Sequence, residues 1–256
     1  MENISDYNHY NAEMEKALAD KLFFLEHLEG IEGLVDFGCA DGALLEAVSR
    51  IRPELTLCGM DMDAPMLAKA KERVPAAVFL QTILPTDCEE LDETKAAINF
   101  SSVLHEVYSY CTEEQISDFW AAINGTGYSY IAIRDMICNV DPAADADPED
   151  VWKVRNKEEV AERLKEFEAV WGPITKQRNL IHFLLKYRYV YNWSREVKEN
   201  YIPLTGEAVL QKINPEKYEV CYREEFILPF IRQNIQEYFG ITLKDATHIK
   251  LILKRR

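Results

Sequence analysis

The sequence predicts an α/β protein built on a doubly wound, mostly parallel sheet, and three observations carry that expectation. From Leu34 to Ile137, short apolar strand-like runs alternate with segments whose apolar residues recur at helical spacing. The first run passes through a glycine-containing loop straight into a helix. After Met136 the alternation stops, and strand and helix signals resume near Tyr218, so the sheet is interrupted by a helical or mixed insertion.

Taken in order, YNAEMEKALADKLFFLEHL from Tyr10 to Leu28 reads as an amphipathic helix preceding the first strand. Leu34 to Asp36 is the first strand, and apolar spacing at Leu44, Leu45 and Val48 marks the helix after it. Leu55 to Met60 is the second strand, followed by a helix from Ala64 to Arg73 capped near Asp63 and started at Pro65. Ala77 to Gln81 and Ala96 to Phe100 are the third and fourth strands. A helix from Glu113 to Asn124 leads to the fifth, Tyr128 to Arg134. NVDPAADADPED, with its prolines and acids, is a loop and a boundary. A helix from Lys157 to Ala169 and a turn at Gly172 and Pro173 come next. In LIHFLLKYRYVYNW, alternate spacing puts Tyr187, Tyr189, Tyr191 and Trp193 on one strand face. Tyr218 to Tyr222, a helix from Leu228 to Phe239, and THIKLILKR as last strand complete the core. These signals divide the chain into a core of residues 1–140 and 215–256 and an insertion of residues 141–214.

In a sheet of this kind ligands bind at the carboxyl ends of the strands, and the polar residues fall there. The loop after the first strand contains Gly38, Ala40 and Gly42, and such a turn brings backbone N–H groups and a helix N-terminus up to a ligand. A dinucleotide loop would have glycine where Ala40 stands. Asp36 and Asp41 flank the turn, and two carboxylates repel a pyrophosphate. They suit a ligand carrying an ammonium group and no phosphate, as S-adenosylmethionine does with its sulfonium and α-ammonium. Twenty-five residues after Asp36, LTLCGMD ends in Asp61, placed to accept hydrogen bonds from ribose hydroxyls.

With these residues the chain resembles the class I S-adenosylmethionine-dependent methyltransferases. VDFGCADG is similar to their first motif with its central glycine replaced by Ala40, and CGMDMDAPMLAKAKERV to their second. AAINFSSVLHEV resembles the motif IV strand that faces the transferred methyl. The resemblance covers roughly Tyr7 to Ile137 and the last strand. It implies a Rossmann-like sheet in which the last strand inserts antiparallel beside the fifth. It also implies a donor site formed by Asp36, Gly38, Ala40, Gly42, Asp61, Met62 and Ser101. The family commonly has an acid near the adenine amino group after the third strand; Gln81 and Thr82 stand there instead, and either can accept the same hydrogen bond. Tyr7 and Tyr10 in the N-terminal segment either line the site or simply pack.

Methyl transfer from a sulfonium needs alignment and, for many acceptors, removal of a proton. His105 and Glu106 follow the fourth strand. His105 is either a general base oriented by Glu106 or another acid, or a residue that caps the turn and packs beneath the cofactor. Tyr108 and Arg134 are further acceptor-side candidates. No second histidine follows at metal spacing, so no metal is expected. Motif IV lacks the Asn/Asp-Pro-Pro-aromatic sequence of adenine amino-methylating DNA enzymes and the cysteine of cytosine ring-carbon enzymes, which leaves oxygen or ordinary nitrogen acceptors.

The formal charge of −15 argues against general nucleic-acid affinity, but it is uneven: net −21 over the first 150 residues and +6 from Val151 onward. Lys176, Arg178, Lys186, Arg188, Arg195 and Lys198 are interleaved with aromatics, a pattern suited to phosphate contact and base stacking. The competing reading buries the aromatics and pairs the cations with the acidic core. It makes a small acceptor preferable to RNA, with Arg178 and Arg188 as acceptor-binding candidates. No apolar run reaches membrane-spanning length, and MENISDYNHY lacks signal-peptide character. Six cysteines without paired spacing read as reduced thiols in a cytoplasm. The sequence therefore points to a methyltransferase acting on a small molecule. An RNA methyltransferase and a non-catalytic S-adenosylmethionine-binding sensor or partner subunit are the alternatives. It names neither acceptor nor oligomeric state.

Overall fold

Leu34 and Val35 point to opposite faces of the sheet, and both faces are covered, so β1 (Gly33–Phe37) is buried along its whole length. The computed structural model describes Leu18 and residues 20–256. Beyond β1 the chain runs through α1 (Ala43–Ile51), β2 (Thr56–Asp61), α2 (Ala64–Arg73) and β3 (Val78–Gln81). β4 (Ala96–Ser101), α3 (Leu104–Tyr110), α4 (Glu113–Gly125) and β5 (Tyr130–Met136) follow. Asp63 caps α2 by accepting the Met66 N–H, and Thr112 with Gln115 forms a reciprocal capping box at the start of α4.

After β5 come α5 (Pro148–Arg155), α6 (Ala161–Trp171), α7 (Gln177–Lys186), α8 (Trp193–Glu196) and α9 (Gly206–Leu210). The chain ends with β6 (Tyr218–Phe226), α10 (Pro229–Phe239) and β7 (His248–Arg255). The sheet order is β3-β2-β1-β4-β5-β7-β6. Its first five strands are parallel, and β7 is antiparallel to both neighbours, as expected for the last strand.

The two faces of the sheet carry separate cores. Phe37, Phe100, Phe119 and Trp120 pack on one, and Phe24, Leu34, Leu45 and Leu57 on the other. A third core joins α5, α6 and α7 to α10 through Val154, Phe167, Phe183 and Phe239.

Three local expectations need correction. The helix α5 begins at Pro148, inside the stretch read as loop: Asp147 accepts the Glu149 N–H as N-cap and Pro148 takes the first helical position, where its missing N–H costs nothing. The aromatic run is not a strand. Leu180 to Lys186 is wholly buried helix, Tyr187 is buried just beyond it, Tyr189 and Tyr191 stand in an exposed turn, and Trp193 opens α8. The alternate aromatics at Tyr187, Tyr189 and Tyr191 begin only where this helix ends, so their spacing reflects the turn that follows it and no strand. The third is α3, which carries His105 and which the sequence reading left unassigned. Only Leu18, Asp20 and Lys21, together with a short 3₁₀ turn at Phe23–Glu26, represent the N-terminal helix here; Tyr7 and Tyr10 lie outside the described residues.

Candidate active site

The loop between β1 and α1 is set by three left-handed residues: Gly38 at φ +76°, Ala40 at φ +46° and Gly42 at φ +78°. At Gly38 a Cβ would lie 2.8 Å from the Val103 side chain, and at Gly42 it would meet the Ala70 backbone at 3.1 Å, so glycine is required by space as well as by φ. Ala40 accepts the left-handed strain, on the order of 1 kcal/mol, and its N–H donates to Asp61 Oδ2 at 2.9 Å. Asp61 Oδ1 takes the Asp63 N–H, also at 2.9 Å. Each oxygen of Asp61 thus holds one backbone donor and keeps a second lone pair, the arrangement needed to accept from a diol.

Asp41 turns away, bonding Arg73 at 2.5 Å, whereas Asp36 is buried and accepts from Asn99 Nδ2 at 2.8 Å across the β1–β4 register. Burial pushes the Asp36 carboxyl up to about 6, against the opposing pull of Asn99 and Lys21. Asn99 Oδ1 and Ser101 Oγ are buried nearby without hydrogen-bond partners among the described residues. At the end of β3, Gln81 donates its amide to Met62 O at 3.1 Å, which leaves its carbonyl oxygen as an acceptor. Thr82 instead spends its hydroxyl on Leu84 O within its own turn. Met62 is exposed beside Asp61.

Across the sheet lies a buried pair. His105 Nδ1 is 2.8 Å from Asp135 Oδ1, while Asp135 Oδ2 accepts the Leu104 N–H at 2.7 Å. Burial opposes the charge on His105, but the Asp135 carboxylate outweighs it and holds the imidazole above its ordinary value. Burial likewise raises Asp135, and the imidazole overcomes it, so the carboxyl stays below its ordinary value. The bond to Asp135 fixes the tautomer that leaves Nε2 as the basic nitrogen. The acid on His105 is therefore Asp135, not Glu106, which pairs with Arg195 at 3.1 Å. Asp135 sits in an apolar strand thirty residues away, and nothing local in the sequence ties it to His105.

The other acceptor-side candidates disperse. Arg134 is buried, bonding Asp20 at 2.7 Å and Ser102 Oγ at 3.0 Å, and so clamps β5 to the N-terminal segment. Ser102 itself is held left-handed at φ +60°. Tyr108 turns into the first core, accepting from Trp120 Nε1 at 3.0 Å. Arg178 spends its guanidinium on the carbonyls of Cys138 and Ile202 and does not reach the pair. Lys186 is fully buried, with Nζ on Glu196 O at 2.8 Å and Glu199 O at 2.6 Å. Arg188 stands at the surface of the exposed turn. Three neighbours of the site had no signal in the sequence: Lys21, whose pKa burial lowers and which lies in the fields of Asp36 and Asp135; Tyr201, edge-on to His105; and Asn99.

A family model described as a methyltransferase domain matches residues 34–127, which contain the glycine loop, Asp61 and His105. This match, with the relatives below, supports a class I S-adenosylmethionine-dependent methyltransferase. Solved structures share the fold. A structure of the small RNA methyltransferase HEN1 superposes with TM-score 0.55 at 15% identity, covering 93% of this chain and 26% of that one. The plantazolicin methyltransferase BpumL, solved with S-adenosylhomocysteine, does so with TM-score 0.52 at 13% identity, covering 98% and 89%. Among curated proteins, the trans-aconitate 2-methyltransferase of Afipia carboxidovorans is 32% identical over 75 residues. That match spans 29% of this chain and 29% of its relative. Among the described residues no helix is long and apolar enough to cross a membrane.

Proposed function

We propose that this chain is a working methyltransferase that places a methyl group on an oxygen or nitrogen of a small-molecule acceptor, with His105 as the general base. The observation that carries this reading is the His105–Asp135 pair at the carboxyl ends of β4 and β5. S-adenosylmethionine supplies a sulfonium methyl that is already electrophilic. The residues present fit that donor: Asp36 is a buried anion and Asn99 Oδ1 a buried acceptor without a partner among the described residues, a set suited to an α-ammonium. Asp61 is set for the ribose and Gln81 for the adenine amino group. His105 Nε2 then takes the acceptor proton as the new bond forms, and Asp135 stabilises the imidazolium. Residues 141–214 form the acceptor side in this account, and the six free cysteines suit a cytoplasmic setting.

A small acceptor is favoured over RNA because the basic aromatic segment does not present its cations together. Arg178 is engaged by carbonyls, Lys186 is internal, Lys176 pairs with Asp145 and Arg195 with Glu199. The relatives leave both classes in view, since HEN1 is an RNA enzyme and the trans-aconitate and plantazolicin enzymes act on small compounds. Incubation with methyl-labelled S-adenosylmethionine, total RNA and a low-mass metabolite extract separates them. Label is expected in the low-mass fraction, and label in RNA would reverse the preference.

Asp61→Ala is expected to weaken S-adenosylhomocysteine binding by about 1–3 kcal/mol, the cost of leaving polar partners unpaired, while NADH shows no measurable binding. Calorimetry giving unchanged affinity in the variant would remove Asp61 from the donor site.

A further inference from the structure

His105 is only 7% exposed, although a general base must reach its acceptor. What lies against its ring is Tyr201, edge-on with centroids 5.6 Å apart. Tyr201 ends the stretch 193–201, which is tied to α3 by a short series of polar contacts. The Asn200 N–H donates to Ser109 Oγ at 2.7 Å, and the Tyr110 hydroxyl donates to Glu199 at 2.6 Å. Arg195 bridges the two sides, with Nε on Glu199 at 2.7 Å and Nη2 on Glu106 at 3.1 Å.

The underside of the same stretch is anchored quite differently. Lys186 holds the carbonyls of Glu196 and Glu199, with its ammonium 4.5 Å from the Tyr201 ring centroid, and Trp171 Nε1 donates to Val197 O at 2.6 Å. These contacts are buried or half-buried and join the stretch to the third core. At the outer edge the contact to α3 lies nearer the surface, since the Arg195 side chain is 58% exposed and that of Glu106 44%, although Glu199 beneath them is buried. Partly exposed ion pairs contribute little, whereas buried charge-assisted bonds are stronger. Opening at the α3 side is therefore the cheaper motion.

We propose that the seam between α3 and residues 193–201 is the entrance through which the acceptor reaches His105, and that Arg195 is the residue that gates it. The proposal rests on His105 being the base. Release of Arg195 from Glu106 frees the seam at its exposed edge, and the imidazole is then reached past the edge of Tyr201, which stays anchored through its hydroxyl on Glu196, its N–H on His182 Nε2 and its ring on Lys186. A carboxylate or other anion on the acceptor competes with Glu106 for the same guanidinium, which makes Arg195 a specificity-determining residue for anionic acceptors.

The test reads access to His105 and needs no acceptor. Diethyl pyrocarbonate modifies accessible imidazoles, and peptide mass spectrometry follows His105 against His27, which stacks on Tyr222 away from the seam. Arg195→Ala and, separately, Tyr110→Phe are expected to speed His105 modification about threefold or more with His27 unchanged, an opening shift on the scale of a lost surface pair. Ser109→Ala, which removes the acceptor of the Asn200 N–H, is expected to speed it in the same direction. Sodium acetate and citrate, as anionic probes, are expected to speed modification in the parent protein and not in Arg195→Ala. Equal His105 rates in the parent and in the Arg195, Tyr110 and Ser109 variants would overturn the gate. S-adenosylhomocysteine affinity, measured alongside, separates the two claims: an intact donor site with an insensitive His105 counts against the seam alone, and a parent protein that binds no donor counts against the methyltransferase reading.

Discussion

His105→Gln should lower methyl transfer by about 100-fold or more, the scale of a lost general base, while S-adenosylhomocysteine affinity stays within about twofold. Glutamine keeps an amide able to meet Asp135 across the 2.8 Å contact, so the buried carboxylate is not stranded. Asp135→Asn should produce a loss of similar size by a different route. The imidazole stays in place but loses the acceptor that fixes its Nδ1–H tautomer, and the imidazolium loses its counter-charge. The double variant should be little worse than either single variant, because the two groups act as a unit. Multiplying losses in the double variant would mean that the residues act independently and that Asp135 does not work through His105.

Asp36→Asn should separate stability from function. The folded carboxyl is raised to about 6 from 3.8, chiefly by burial. Its contribution to stability is thus fully present below the unfolded pKa and lost as pH rises through about 6. Above that the ionised group costs the donor-free protein about 2–3 kcal/mol, at roughly 1.4 kcal/mol per pKa unit. Asparagine keeps the oxygen that accepts from Asn99 and removes the charge. Donor-free Asp36→Asn should therefore be more stable than the parent at pH 7.5 in urea melts, by about 1–3 kcal/mol, with the gain vanishing near pH 4. Its affinity for S-adenosylhomocysteine should fall about 10- to 100-fold, the value of a charge-assisted bond to the ammonium. A variant that is less stable at pH 7.5, or that binds the donor normally, would contradict the role given to Asp36.

The parts of the molecule that were legible in the sequence are those whose cause is local. Strand and helix alternation gives the parallel sheet, because strands covered on both faces read as short unbroken apolar runs while the helices between them bury one face and show its period. The glycine loop and Asp61 were legible because backbone geometry there demands particular residues. The acceptor side was not, because its causes lie far apart in the chain. Asp135 is one acid in YIAIRDM and becomes meaningful only when β5 lies beside β4 and presents it to α3. Lys186 and Arg178 carry the charge of a binding surface but end inside, satisfied by carbonyls that no local pattern reveals. Arg195 and Glu106, 89 residues apart, meet only through the path of the helices between β5 and β6.

The account centres on a His105 that is held above its ordinary pKa by Asp135 and must shed its proton before it can serve as base. Titration of carbon-13-labelled histidine by NMR in the S-adenosylhomocysteine complex tests this without an acceptor. His105 should titrate with a midpoint above 6.5 in the parent protein, and Asp135→Asn should move that midpoint down, since burial is then opposed only by the weaker fields of Glu106 and Glu199. An imidazole that stays neutral well below pH 6.5, or a midpoint indifferent to Asp135→Asn, would contradict the pair as the proton-accepting centre.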